Sequence, residues 1–212
     1  MTRPMLWLFA CFLIACTRQT SSPQPVVPLT PSPSPTTPSL PAHLQHRLTY
    51  AHYATINRPN DTLPIFGDAL QPMVRELYAD PHTIAALRTE GRIPDGAQFV
   101  METYLAKADT DGKPVRDAQG RLVKANLVVV ESNTKHLRTN DTGKNWQPGF
   151  LDPQTGQPVP VNLSECTGCH RAAEDGSVYT LAALERWLAT GQVQVLVCDK
   201  PNRLPCNASP AR

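Results

Sequence analysis

Toward the C-terminal end of the chain, Cys166-Thr167-Gly168-Cys169-His170 sets two thiols three positions apart with an imidazole directly after the second. On one face of a turn the two thiols stand at about the same height. Each can then add to one vinyl group of a single porphyrin, and the following histidine can reach the iron as an axial ligand. A chain with this pattern has to fold around a large, flat, apolar disc. Three other chemistries compete. Half a zinc site lacks its second half, because Cys198 and Cys206 are eight apart and no His-x-x-x-His follows. A thioredoxin-like dithiol needs a βαβ context near the start of a domain, and a disulfide across two intervening residues is strained. The expectation is one covalent haem c per chain, bound by Cys166 and Cys169, with His170 as the proximal ligand to the metal.

The start of the chain supports export. A short basic segment with Arg3 precedes an apolar run, LWLFACFLIA over residues 6–15, too short to span a bilayer as a mature helix. The run ends Leu13-Ile14-Ala15-Cys16, a lipobox in which Cys16 takes the lipid, and several acyl chains anchor stably where one is marginal. Residues 1–15 thus read as a lipoprotein signal peptide, and the product is expected as a bacterial membrane-anchored lipoprotein facing the periplasm. Export accounts for the cysteines: Cys11 leaves with the signal, and Cys198 and Cys206 should close a disulfide loop in an oxidising compartment. The 20 basic side chains, less Arg3, nearly balance the 18 acidic ones, so there is no basic field for nucleic acid.

Residues 16–42 form a Pro/Ser/Thr-rich linker whose prolines lock φ and whose composition offers no core. Extended as polyproline it would reach roughly 80 Å. The folded domain is expected over 43–212, enough chain for one well-filled core.

Within it, residues 43–57 (HLQHRLTYAHYATIN) suggest a helix with Leu44 and Leu48 inward, and His43, His46 and His52 suggest surface histidines. Residues 73–78 alternate as a strand. Asp80 caps a helix with Pro81 at its first position and Gly91 past its end. Residues 98–107 alternate again, with Phe99, Met101, Thr103 and Leu105 on one face and Val100, Glu102 and Tyr104 on the other. The turn-rich stretch 109–120 and the strand 122–131 complete an elaborated hairpin. Asp109 and Asp111 do not begin a calcium loop, since the glycine falls too early and no closing glutamate follows. Residues 146–161 suggest a short strand and loops, 163–171 the haem-bearing helix, 180–189 an amphipathic helix closed by Gly191, and 193–197 a last strand. Helices flanking a hairpin-built sheet argue for an α+β fold with a largely antiparallel β-sheet.

The residues Tyr78-Ala79-Asp80-Pro81, then 86–102 (ALRTEGRIPDGAQFVME), then Asn145-Trp146, then the Cys166–His170 motif, resemble in order and spacing the cytochrome P-460 and cytochrome c′-β family over roughly residues 43–190. The resemblance implies an antiparallel sheet with helices packed at its edges, a possible homodimer, and haem against the sheet with His170 proximal. It also implies that the strand after Pro94-Asp95-Gly96 faces the distal side. Hydroxylamine-oxidising members carry there a lysine joined to the porphyrin edge, and gas-binding members an apolar pocket. Here the position is Met101, and the carboxylate base of the oxidising members, due near Asn126 or Leu127, is missing.

Of four methionines, Met1 and Met5 leave with the signal, so Met101 is one of two in the mature chain. Core filler is the ordinary role of such a residue; here it can also ligate the iron or screen it. The first functional expectation is a lipid-anchored cytochrome binding a small gaseous ligand such as nitric oxide, with Phe99, Met101 and Leu127 as an apolar distal wall. The second is electron transfer to an unknown redox partner, with His170/Met101 ligation. Hydroxylamine oxidation comes third. Replacing Cys16 by Ser should release the domain from membranes or block its processing; wild-type protein wholly in the aqueous phase of a detergent separation would refute the lipid anchor.

Overall fold

Tyr53, Thr55 and Ile56 overturn the first expected helix. In the computed structural model, which describes residues 40–61, 70–136, 146–162, 180–198 and 207–208, the stretch 43–57 divides. A 3-10 turn spans Ala42–Leu44 and a short helix α1 spans His46–Thr49, but strand β1 runs Ala51–Asp61. Aromatic and β-branched side chains favour the pleated conformation, and pairing with the next strand outweighs weak helical periodicity. Leu44 is buried as expected, but Leu48 is 72% exposed.

β1 pairs antiparallel with β2 (Gln71–Ala79), after which Asp80 turns the chain into helix α2 (Pro81–Glu90). The Asp80 carboxylate accepts from the backbone N–H of His82 at 2.8 Å and Thr83 at 3.1 Å, and from the Thr83 hydroxyl. It also accepts the Gln98 N–H at 2.7 Å, so one side chain caps the helix and ties it to the following strand. Gly91 closes α2 at φ 65°, a left-handed conformation that glycine adopts without steric cost. Strand β3 spans Gln98–Ala106 and β4 Lys124–Lys135. The arm between them is the elaborated hairpin turn expected, laddered by Ala108↔Pro114 and Arg116↔Leu122. Asn57 Oδ1 accepts the Leu122 N–H at 2.6 Å and pins the arm to the sheet. Then come β5 (Trp146–Leu151), α3 (Leu181–Thr190), β6 (Gln194–Val197) and β7 (Asn207–Ala208).

The sheet order is β5-β4-β3-β2-β1-β6-β7. Every pairing is antiparallel except β1 with β6, which is parallel and makes the sheet mixed. The α+β class, with the sheet dominant, is that expected. One face carries the main core: Tyr53, Ile56, Leu77 and Phe99 against Ile84 of α2 and Ala183 and Leu184 of α3. Among the described residues no helix is long and apolar enough to cross a membrane.

The opposite face is built on two buried carboxylates. Glu102, fully buried, accepts from His46 Nε2 at 2.9 Å, Arg47 Nε at 2.5 Å and the hydroxyls of Tyr104 at 2.7 Å and Tyr78 at 3.3 Å. Glu76 pairs with His52 and Lys124, both at 2.6 Å. The Tyr78 ring lies beside the imidazoles of His46 and His52, with centroids 5.1 and 5.0 Å away. The reading of these as surface histidines fails for His46, which is buried, and for His52, which is partly buried on Glu76. His43 is held by the Pro153 carbonyl at 2.8 Å. Buried carboxylates require donors, and the N-terminal turn supplies them from outside the sheet.

Burial alone would raise the Glu102 carboxyl, but the hydrogen bonds from His46, Arg47 and Tyr104 outweigh it and hold the group at about 2, against an ordinary 4.5. Glu76 is shifted down in the same way, burial being outweighed by His52, Lys124 and Thr55. A depressed carboxyl contributes stability that is complete above its unfolded pKa and is lost as the pH falls through its folded one. Urea unfolding should therefore show a loss of up to roughly 3 kcal/mol from Glu102 between about pH 4.5 and 2. Glu102→Gln should be less stable at pH 7 and show a shallower acid loss; an unchanged acid slope would refute this role for Glu102.

A candidate functional site on the sheet

Alternation along β3 places Phe99, Met101, Thr103 and Leu105 on one face, as expected. Register supplies the neighbours. Met101 stands opposite Leu77 of β2 and Glu131 of β4, Thr103 opposite Arg75 and Val129, and Phe99 opposite Asn133. Met101 is half-buried and packs on the main core. Phe99 is buried, 5.7 Å from the Trp146 ring and 6.4 Å from that of Tyr53. The Tyr53 hydroxyl lies 2.7 Å from Thr180 Oγ1, and burial pushes the phenol pKa well up.

Beside this apolar patch lies a charged one. Asp61, almost fully buried, sits between two guanidiniums: Arg58 Nε at 2.8 Å and Arg75 Nη2 at 2.7 Å from its Oδ2. Arg75 Nη1 reaches the Met101 sulfur at 3.9 Å. Arg75 Nε and Thr103 Oγ1 are buried without a hydrogen-bond partner. Buried donors of this kind are uncommon. Past the charges, Met73, Val129 and Phe150 form a second apolar cluster with Val159 and Val161.

One expectation about the site is corrected. Leu127 does not share the face of Phe99 and Met101. It stands opposite Tyr104 and packs with Leu44, Val100 and Val130 on the reverse face, because the pairing slips by one residue between Thr103↔Val129 and Tyr104↔Leu127. A bulge reverses the facing of everything beyond it, and the continuous apolar run over 127–130 concealed it. A carboxylate that sequence reasoning did not single out also lines this face: Glu131, half-buried, stands in register with Met101 itself. Sequence reasoning also passed over Arg75 as one position of an alternating strand; its place opposite Thr103, beside Met101, becomes visible only through the β2–β3 register.

Cys16, Cys166, Cys169, His170 and Cys206 lie outside the described residues, as does the expected helix over 163–171. Val161 and Thr180, described residues on either side of that stretch, both rest on the Met101 face. Val161 packs in the second apolar cluster, and Thr180 meets Tyr53 in the first. Cys198 is buried and disulfide-bonded, and its N–H donates to Asn57 O at 2.9 Å. The strand that follows, β7, pairs with β6 through Leu196↔Ala208 and Val197↔Asn207. Asp109 spends its carboxylate on the N–H groups of Asp111 and Lys113, both at 2.9 Å. Among the described residues no cluster of three or more His, Cys, Asp or Glu side chains is arranged to hold a metal ion.

A protein-family model described as Cytochrome P460 matches residues 47–180. No curated protein matches the chain.

Asp61 pairs with both Arg58 and Arg75. Asp61→Ala should destabilise the protein by about 3–5 kcal/mol in denaturant unfolding, since breaking a buried ion pair strands charge away from water. A loss below about 1 kcal/mol would mean that water reaches both guanidiniums.

Proposed function

The chain belongs to the cytochrome P460 family, and on that premise we propose that it is an exported, lipid-anchored cytochrome of the P460/c′-β type. In this proposal it binds a small diatomic ligand such as nitric oxide at a haem iron. Family membership carries the haem itself. The proposal adds that Cys166 and Cys169 hold it by thioether bonds, that His170 is the proximal ligand, and that the Met101 face of the sheet is the distal side. It also adds that residues 163–171 form the haem-bearing helix, and that Cys16 anchors the chain on the periplasmic side of a membrane.

One observation supports the distal assignment most: Val161 and Thr180, described residues on either side of the attachment segment, both pack on the face that presents Met101. The groups on that face also suit a porphyrin, a flat apolar disc with carboxylates along one edge. Phe99, Met101 and Leu77 offer the apolar surface, and Arg58 and Arg75 lie beside it. When bound, haem supplies an iron that can take a small ligand or an electron. The chain's part is to exclude water with Phe99, Tyr53 and Trp146, and to set the polarity with Arg75, Thr103 and Glu131. The wall is thus less apolar than the sequence implied, with Leu127 withdrawn and Glu131 added.

A second role, electron transfer with His170/Met101 ligation, is favoured by Met101 itself, which alternation brings to this face. Glu131 puts a carboxylate on this face, though not near residues 126 or 127 where the oxidising members carry theirs; the lysine absent at position 101 remains against that chemistry. The reduced optical spectrum separates the three. Sharp α and β bands mean six-coordinate low-spin iron, a broad high-spin spectrum an open site, and a red-shifted additional Soret band a porphyrin cross-link.

Cys166→Ala with Cys169→Ala should yield haem-free, poorly folded protein in the exported fraction, because the cofactor stabilises only the state that binds it. Haem still bound after acid–acetone extraction of the double variant would refute covalent attachment at these residues.

A further inference from the structure

The contact between Arg75 and Met101 bears on whether the thioether can reach the iron. Arg75 does not approach the sulfur as a mobile surface cation. Its Nη2 is fixed on Asp61 at 2.7 Å, and that carboxylate is held in turn by Arg58 at 2.8 Å. The side chains of Asp61 and Arg75 are 2% and 12% exposed, so the ion pair acts where charge is poorly screened. From this fixed position Nη1 lies 3.9 Å from Met101 Sδ, across the diagonal between neighbouring strands, since Met101 is in register with Leu77 and Arg75 with Thr103.

A thioether is a weak acceptor whose lone pairs are also what a metal would use. An N–H directed at the sulfur draws on that density, and a positive charge beside it makes donation to a cationic iron less favourable. The contact also selects one arrangement of a side chain that otherwise has three rotatable bonds to adapt with. We infer that Arg75 is a positioning residue for Met101: its guanidinium engages the thioether and keeps it off the iron, leaving the sixth coordination position open to an external ligand. The inference rests on the haem reading above and deepens it, since it assigns the open site to an Asp61–Arg75–Met101 chain rather than to the absence of a ligating side chain.

The test uses the full-length, haem-loaded protein and three variants: Arg75→Leu, Met101→Leu and the double substitution. Arg58 still pairs with Asp61 when Arg75 is lost, so the carboxylate is not stranded. Wild type should be high-spin in the reduced state. Arg75→Leu should free the thioether and convert the protein to a low-spin spectrum with sharp α and β bands. A Met101-ligated state occupying roughly nine-tenths of the molecules would slow carbon monoxide association about tenfold, by lowering the competent fraction. Adding Met101→Leu to Arg75→Leu should restore the high-spin spectrum and fast association, which a merely structural role for Arg75 would not produce. An Arg75→Leu protein that stays high-spin with an unchanged association rate overturns the inference. So does a low-spin wild type that becomes high-spin in Met101→Leu, and this arm decides the matter if Arg75→Leu does not fold. An alkaline-pyridine spectrum showing no haem c in the wild type would overturn the haem reading itself, a result distinct from any change of spin state.

Discussion

β3 is buried on both of its faces, and the rest of the molecule depends on that constraint. A slip of one residue exchanges the two sets of side chains, and a strand whose two buried faces carry unlike groups cannot absorb that exchange. Here the exchange would carry Glu102 into the main core and Met101 into the carboxylate network. Pairing with β2 on one side and β4 on the other, from Gln98 to Ala106, holds the register. The side chain of Asp80 sets its start, accepting the Gln98 N–H while capping the helix before it.

The two faces meet their buried charge in the same way. Glu102 is satisfied by donors from the N-terminal turn and from its own sheet, and Asp61 by guanidiniums of β1 and β2. Neither arrangement is a strong source of net stability, because taking charges out of water costs much of what their attraction returns. What they provide is placement: hydrogen bonds hold the donors around Glu102, and charge attraction holds Arg58 and Arg75 against Asp61. The reverse face thereby becomes a rigid backing for β3, and Asp61 holds Arg75 beside Met101. On the proposed reading, that support would hold the thioether in one place, where a small shift of the sulfur would change what reaches the iron.

The mixed pairing at the other side of the sheet serves the same end. β6 joins β1 in parallel after α3 has crossed the main core, and the disulfide-bonded Cys198 follows immediately, its N–H on Asn57. Asn57 in turn accepts the Leu122 N–H from the β3–β4 arm. One buried asparagine thus links the arm, the first strand and the C-terminal strand, and the burial of its side chain makes those hydrogen bonds costly to lose.

What was legible in the sequence was local. Asp80, Pro81 and Gly91 bound a helix through cap geometry that needs only a few consecutive residues, and Gly191 closes another. The alternation of β3 named both of its faces, and the cysteine–histidine motif named a chemistry, because each signal is contained within about ten residues. Tertiary structure decided everything that depends on which strands meet. It turned residues 51–57 from helix to strand through pairing with β2, moved Leu127 to the reverse face through a bulge, and set Glu131 and Arg75 around Met101 across a seventeen-residue arm and a helix. The physical reason is that hydrogen-bond register between distant strands is a property of pairs. A single segment carries its own conformational preference and its own alternation, but not the identity of the residue that will stand opposite.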